Sequence, residues 1–219
     1  MKLTKKTLAI LNNFASINQS IVIKPGSKIE TISNVKDSFA RTQVEEEFPV
    51  QVSIYDLKGF LGTVGLFDDP DFEFGEKSVK ISEGKSSQVY FYADPSVITQ
   101  PPEKGVNIPS VEVEAELTKE QLNKIIRASS INNAGDLTFT EGSAVVHDKA
   151  VPNSNRFEIS NVSSSEGKYE LSIKVEKLKL VADDYKVKIC AKGLAHFIGS
   201  QGIEYFIALQ PNGHYSKPV

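Results

Sequence analysis

Residues 3–18 read LTKKTLAILNNFASIN and residues 117–132 read LTKEQLNKIIRASSIN. At an offset of 114, Leu3, Thr4, Lys5, Leu8, Ser16, Ile17 and Asn18 recur as Leu117, Thr118, Lys119, Leu122, Ser130, Ile131 and Asn132, with Leu11 matched by Ile125. Each stretch has apolar residues at helical spacing. In the second, Thr118 followed by Gln121 fits a capping box. The spacing predicts a helix near Lys119 whose packed arc holds Leu122, Ile125, Ile126 and Ser129, with Glu120, Lys124 and Arg127 opposite. In the first helix, Leu8, Leu11 and Ala15 form the expected buried arc, while Lys5, Lys6, Ala9 and Asn13 face away.

The likeness extends downstream. SIVIKPGSKI (20–29) and DLTFTEGSAV (136–145) both read as strand, glycine-serine turn, strand, and VSIYDLK (52–58) and LSIKVEKLK (171–179) both lead from a strand into a helix-compatible segment. A shared order of helix, turn and strand makes the chain a tandem pair of similar domains. Between them, ADPSVITQPPEKGVNIPS (93–110) holds four of the ten prolines and no helix or strand period, so it reads as an extended surface connector. The expected division is residues 1–92, a connector over 93–110, and residues 111–219. SSQVYFYA before the connector and SVEVEAEL after it read as strands. With two helical segments expected per half, the fold class is α+β with antiparallel sheets.

Composition narrows the function. The 219 residues carry 25 basic and 28 acidic side chains, a formal charge of −3, and 40% are hydrophobic. That supports a folded core and argues against a uniformly basic nucleic-acid binder. No apolar run reaches the roughly 18 residues a membrane span needs, and the N-terminus, broken by Lys5, Lys6 and Thr7, does not read as a secretory signal. One cysteine, Cys190, excludes a disulfide within the chain and points to a reducing compartment; it reads as a buried apolar residue. Against this acidic background no Asp or Glu lies between Lys2 and Asn18. The exposed face of each repeated helix is therefore basic, a pattern that attracts phosphates to one surface of an otherwise anionic body.

Sites for chemistry are not found. Gly84-Lys85-Ser86 resembles the end of a phosphate loop, but Val79 stands where the leading glycine belongs. Asp69, Asp71 and Glu73 imitate part of a calcium loop, but Phe74 and Lys80 occupy its glycine and glutamate positions. His147, His196 and His214 lack zinc-ligand spacing, and no nucleophile motif accompanies them. No cofactor and no catalytic residue are expected.

MKLTKKTLAILNNFASIN at the N-terminus, SIYDLKGFLG (53–62), YADPS (92–96) and DYKVKICAKG (184–193) resemble the sliding clamps of T-even-type bacteriophages, the processivity factors of the phage DNA polymerase. The resemblance is collinear through nearly the whole chain. It implies a homotrimeric ring of two-domain subunits around double-stranded DNA, with helices near Lys5, Lys119, Asp56–Leu66 and Glu176–Leu180 lining the hole. On that resemblance Lys5, Lys6, Lys58, Lys119, Lys124, Arg127, Lys177 and Lys179 face DNA, while Asn12 and Ser130 stand where basic residues are expected. It also implies that partner peptides dock in an apolar groove beside the connector, for which Val97, Ile98, Ile108, Leu209 and Pro211 are candidates. The implied partners are the phage DNA polymerase, a clamp-loader ATPase and further copies of the chain, in the cytoplasm of the infected host, with no membrane. A viral structural or assembly ring made of duplicated β-rich domains, without DNA, is the alternative.

Overall fold

Thr4 starts the first helix: its backbone is extended and its hydroxyl accepts from the Thr7 amide at 3.2 Å. The computed structural model describes residues 1–217 and divides into two compact units, Met1–Gly105 and Val106–Val219.

In unit 1 the order is α1 (Lys5–Ile17), β1 (Ile21–Ile23), β2 (Gly26–Ile32), β3 (Ser38–Phe48), β4 (Val52–Ile54), α2 (Leu57–Val64), β5 (Asp71–Phe74), β6 (Ser78–Glu83) and β7 (Ser86–Phe91), then a 3₁₀ turn at Pro95–Val97. β1 pairs with β4, β2 with β3, and β5-β6-β7 form a meander, all antiparallel. The strand-turn-strand expected over 20–29 is not a simple hairpin. Pro25 has no amide to give a ladder and Gly26 takes φ +112°, so β1 and β2 find different partners. α1 packs on α2 and β3 and buries Thr7, Ile10, Leu11, Phe14 and Ala15. Leu8, expected inside, is half-buried.

In unit 2 the order is β8 (Val113–Leu117), α3 (Lys119–Asn132), β9 (Asp136–Thr140), β10 (Ser143–His147), β11 (Phe157–Ser160), β12 (Lys168–Lys174), a 3₁₀ turn at Val175–Lys177, β13 (Tyr185–Cys190), β14 (Leu194–Gly199), β15 (Glu204–Ala208) and β16 (His214–Ser216). One sheet runs β11-β10-β9-β12-β16, and a second set runs β15-β14-β13-β8. α3 lies against β10 and β11. Leu137, Phe139, Leu171 and Ile173 alternate inward on β9 and β12, completely or almost completely buried.

The two units repeat one plan. α1 corresponds to α3, β3 to β11, β4 to β12, and β5-β6-β7 to β13-β14-β15. In unit 1, Met1 bonds the outer side of β5, where unit 2 has β8 beside β13: its amine donates to the Phe72 carbonyl and its carbonyl accepts from the Phe72 amide, each at 2.7 Å. The Leu57 amide donates to Gln19 just past α1 at 2.8 Å, and the Val175 amide to Gly135 just past α3 at 2.9 Å.

The repeat departs from expectation at this last point. Unit 1 follows β4 with α2, whereas unit 2 follows β12 with a single 3₁₀ turn in place of the helix predicted over Glu176–Leu180. α3 accordingly buries only Leu122, Ile125 and Ala128. Ile126, expected in the packed arc, is 40% exposed. At the position equivalent to the buried Ile10, α3 carries the exposed Lys124. A helix that lacks a second helix beside it has less surface to bury.

Candidate nucleic-acid interface

Each repeated helix is started by a local cap and by a carboxylate brought from elsewhere in its unit. At α1, the Thr4 amide and the Thr7 hydroxyl both donate to Glu46 on β3, the latter at 2.6 Å. The β2–β3 register slips between Gly26–Phe48 and Lys28–Gln43, and Glu46 lies in the irregular stretch. It is 8% exposed. Burial pushes its carboxyl upward, but the hydrogen bonds from Thr4 and Thr7 outweigh this and hold it below the ordinary glutamate value. At α3, the capping box is complete: Gln121 donates its amide to Thr118 Oγ1 at 3.2 Å and accepts from the Thr118 amide at 2.8 Å. The Lys119 amide then donates to Asp184, just before β13, at 2.7 Å.

Beyond these starts, the outer faces present the basic side chains. Lys5 and Lys6 are exposed on the first turn of α1, in line with the exposed Ala9, Asn12 and Ser16. Lys119, Lys124 and Arg127 are exposed along α3, with Glu120, Asn123 and Ser130. Lys58 is exposed on α2, which packs beside α1. Asp56 caps that helix through the Gly59 amide at 2.9 Å, and a Cβ at Gly59 would stand 2.4 Å from the Asp56 carboxylate, so only glycine leaves the cap in place. Lys177 is half-buried in the 3₁₀ turn anchored at the end of α3, and Lys179 is exposed just after it. None of these is fixed by burial. In each unit these are long cationic side chains, mostly exposed, of the type that contacts phosphate without reading sequence.

The groove candidates divide between the units. Val97 is 61% exposed on the 3₁₀ turn of unit 1, but Ile98 is 5% exposed and belongs to that unit's core. A buried Ile98 cannot offer its side chain to a peptide. Ile108 and Leu209 are half-buried and Pro211 is exposed in unit 2. The Leu209 amide bonds Gly193 at 2.9 Å and the Gln210 amide bonds Ser172 at 2.8 Å, which fixes the course of the segment leading to Pro211. On the unit 1 side of the connector lies a cleft of about 260 Å³ between Val22, Lys24, Pro25 and Lys28 and the run Gln100–Glu103. The five candidates do not line it.

Sequence reasoning missed the acids. Glu46 and Asp184, and also Asp136 on β9, accept hydrogen bonds that hold segments in place. Only Glu46 left a signal, standing two residues before the buried Phe48 and thus on the inward side of a strand. Among the described residues no group of three or more His, Cys, Asp or Glu side chains is placed to hold a metal ion, and no helix is long and apolar enough to cross a membrane.

Comparison with known proteins bears on what these helices serve. Residues 2–100 match the family model described as DNA polymerase processivity factor, and residues 112–211 match that described as gp45 sliding clamp, C terminal. A sliding clamp of Vibrio phage KVP40 is 35% identical, covering 96% of this chain and 99% of its own. The sliding clamp of Enterobacteria phage T4 is 30% identical, covering 96% and 97%. Among solved structures, the A. fulgidus PCNA chain in a complex with the C-terminal region of FEN-1 shares the fold at a TM-score of 0.70 and 12% identity, covering 94% of this chain and 96% of that one. With both halves matched in order and the duplicated plan present in each unit, the chain belongs to the sliding-clamp family of DNA polymerase processivity factors.

Proposed function

We propose that three copies of this chain close into a ring around double-stranded DNA and tether the phage DNA polymerase, in the cytoplasm of an infected bacterium. The observation that carries this is the basic helix repeated once per unit: α1 and α3 start on equivalent threonines, expose lysines on their first turns, and belong to a chain of net charge −3. Six such helices from three chains give a wall that attracts phosphates at many equivalent points without reading bases, so the duplex is centred and still free to slide. Retention then comes from closure rather than affinity, and a tethered polymerase rebinds at high effective concentration.

Two strand edges suit the closure. β7 ends the unit 1 meander and β11 ends the larger unit 2 sheet. The two-residue turn at Gly84-Lys85 makes Glu83 and Ser86 a bonded pair, so by alternation the amides of Ser87, Val89 and Phe91 point away from β6. Phe91 is 73% exposed beside them. Head-to-tail pairing of β7 with β11 of the next copy covers both edges, and a heterologous contact of this kind closes into a ring when the rotation permits. We read residues 93–110 as the connector between modules and Val97, Ile108, Leu209 and Pro211 as partner-facing. A separate clamp-loader ATPase supplies the opening energy.

The test is retention on nicked circular duplex against the same DNA linearised, with loader and ATP present. Retention on the circle and escape from the linear form is the expected result. Equal retention on both points to ordinary binding. A solution mass other than three chains overturns the trimer.

A further inference from the structure

We infer that Glu46 and Asp184 are positioning residues for DNA contact, each holding the first turn of a DNA-side helix so that its lysines stand at a fixed height over the duplex. The inference rests on the reading of α1 and α3 as DNA-facing.

The observation is a coincidence between the two units at unrelated sequence positions. The residues at the helix starts are repeated in sequence, but the acids that secure them are not. Glu46 comes from β3, 39 residues after Thr7, and Asp184 precedes β13, 65 residues after Lys119. The elements that bear them are not counterparts in the repeat, since β3 corresponds to β11 and β13 to β5. Each unit has nevertheless placed a carboxylate on a backbone amide of the turn that carries Lys5 and Lys6, or Lys119. The first amides of a helix have no partner within it, and they fray unless something accepts from them. An acid is also favoured there by the helix dipole.

The geometry separates positioning from charge. Glu46 spends both carboxylate oxygens on α1, one on the Thr4 amide and one on the Thr7 hydroxyl. Its task is therefore done by acceptor geometry in a nearly closed setting, and little of it is turned toward solvent. Glutamine retains that geometry, because its carbonyl accepts from the amide and its NH₂ donates to the threonine oxygen. Asparagine at 184 likewise retains an acceptor for the Lys119 amide.

The experiment is equilibrium binding of the full chain to a short labelled duplex across a salt series, for wild type, K5A/K6A, K119A, E46A, E46Q, D184A and D184N, with solution mass and thermal melting recorded for each. Loss of two phosphate contacts in K5A/K6A lowers the slope of log affinity against log salt by about 1.8, and K119A lowers it by about 0.9. E46A is expected to lower the slope toward K5A/K6A, D184A toward K119A, and E46Q and D184N to restore wild-type slopes at unchanged mass. Asp184 is exposed, so D184A decides the matter if E46A fails to fold. Wild-type slopes in E46A and D184A while the lysine variants fall overturn the inference alone. Tighter binding by E46Q and D184N also overturns it, because the acids would then act by repelling phosphate. Lysine variants that leave the slope unchanged overturn the DNA-facing reading itself.

Discussion

Lys174 Nζ at the end of β12 lies 2.7 Å from Asp136 Oδ1 at the start of β9, a carboxylate only 1% exposed. Asp136 also accepts from the Lys149 amide at 2.9 Å and from Gln210 Nε2 at 2.6 Å. One buried acid thus joins the loop after β10, the strand β12 and the segment that leads to Pro211. The network continues through Lys149, which bonds Ser172 at 3.1 Å and pairs with Glu170 at 3.0 Å, and through Thr138, which bonds His147 and Ser172 at 2.8 Å each.

Removing Asp136 leaves the Lys149 amide and Gln210 without their acceptor, while Lys174, 42% exposed, can turn to water; leaving such donors unsatisfied costs about 1–3 kcal/mol. The Asp136→Ala chain is expected to unfold at correspondingly lower denaturant. Acidity has the same target. Burial raises the Asp136 carboxyl, but hydrogen bonds led by that from Lys174 outweigh it, so its folded value lies below 3.8. A depressed carboxylate contributes stability that is present above its unfolded value and lost as pH falls through the folded one. The wild-type melting temperature is therefore expected to fall more steeply below pH 4 than that of Asp136→Asn.

His147 acts earlier on the same limb. Burial, then the positive charge of Arg156, holds its folded value below 6.5. For a base shifted down, the folded state binds fewer protons, so stability declines as pH falls below the unfolded value near 6.5. Melting scans from pH 7.5 to 5 are expected to show this decline in wild type and to flatten in His147→Gln. An identical slope in the variant removes His147 as its source.

Lys119 and Arg127 are exposed and take no part in the core, so K119A/R127A is expected to retain its melting temperature and its mass. Clamp-dependent stimulation of the polymerase is expected to fall at low salt, and its deficit relative to wild type to narrow as salt rises, because the variant has two fewer salt-sensitive phosphate contacts to lose. Stimulation equal to wild type across the salt series counts against α3 as a DNA-facing helix.

The helices were the most legible part of the chain, because Thr118 with Gln121 marks the start of one and the 114-residue offset aligns the other with it. Less could be read from periodicity at the edges of their arcs. Ile126 and Ala128 both border the packed side of α3, and the partner elements decide which of them is covered. The exchange of Ile10 for Lys124 was visible in the sequence and marks the missing second helix of unit 2, but only the 3₁₀ turn at Val175–Lys177 gives it meaning. Asp136 binds groups far away in sequence and no local pattern announces it, while Glu46 is signalled only by its place on the inward side of β3, which does not say what it binds. Ile98 was misjudged for a related reason: a connector without a period gives no sign of which side chain turns inward.

That distinction between Val97 and Ile98 can be measured. Val97→Asp changes an exposed side chain and is expected to leave stability within about 0.5 kcal/mol while weakening polymerase binding. Ile98→Asp places a carboxylate in the core of unit 1, where burial without a partner is costly, and is expected to lower the melting temperature first. A Val97→Asp chain that binds polymerase as well as wild type excludes this part of the connector from the partner surface.

The ring closure has its own variant. Proline removes an amide, and an edge strand tolerates it where that amide points out of the sheet. Val89 on β7 meets this condition, since its alternation with the bonded Ser86 turns its amide away from β6. Val89→Pro therefore costs unit 1 no ladder hydrogen bond, but it removes a donor from the edge offered to β11 of the next copy. The expected outcome is a chain with near wild-type circular dichroism whose solution mass shifts from three copies toward one, and which no longer distinguishes circular from linear DNA. A Val89→Pro chain that remains fully trimeric places the subunit joint on some other edge.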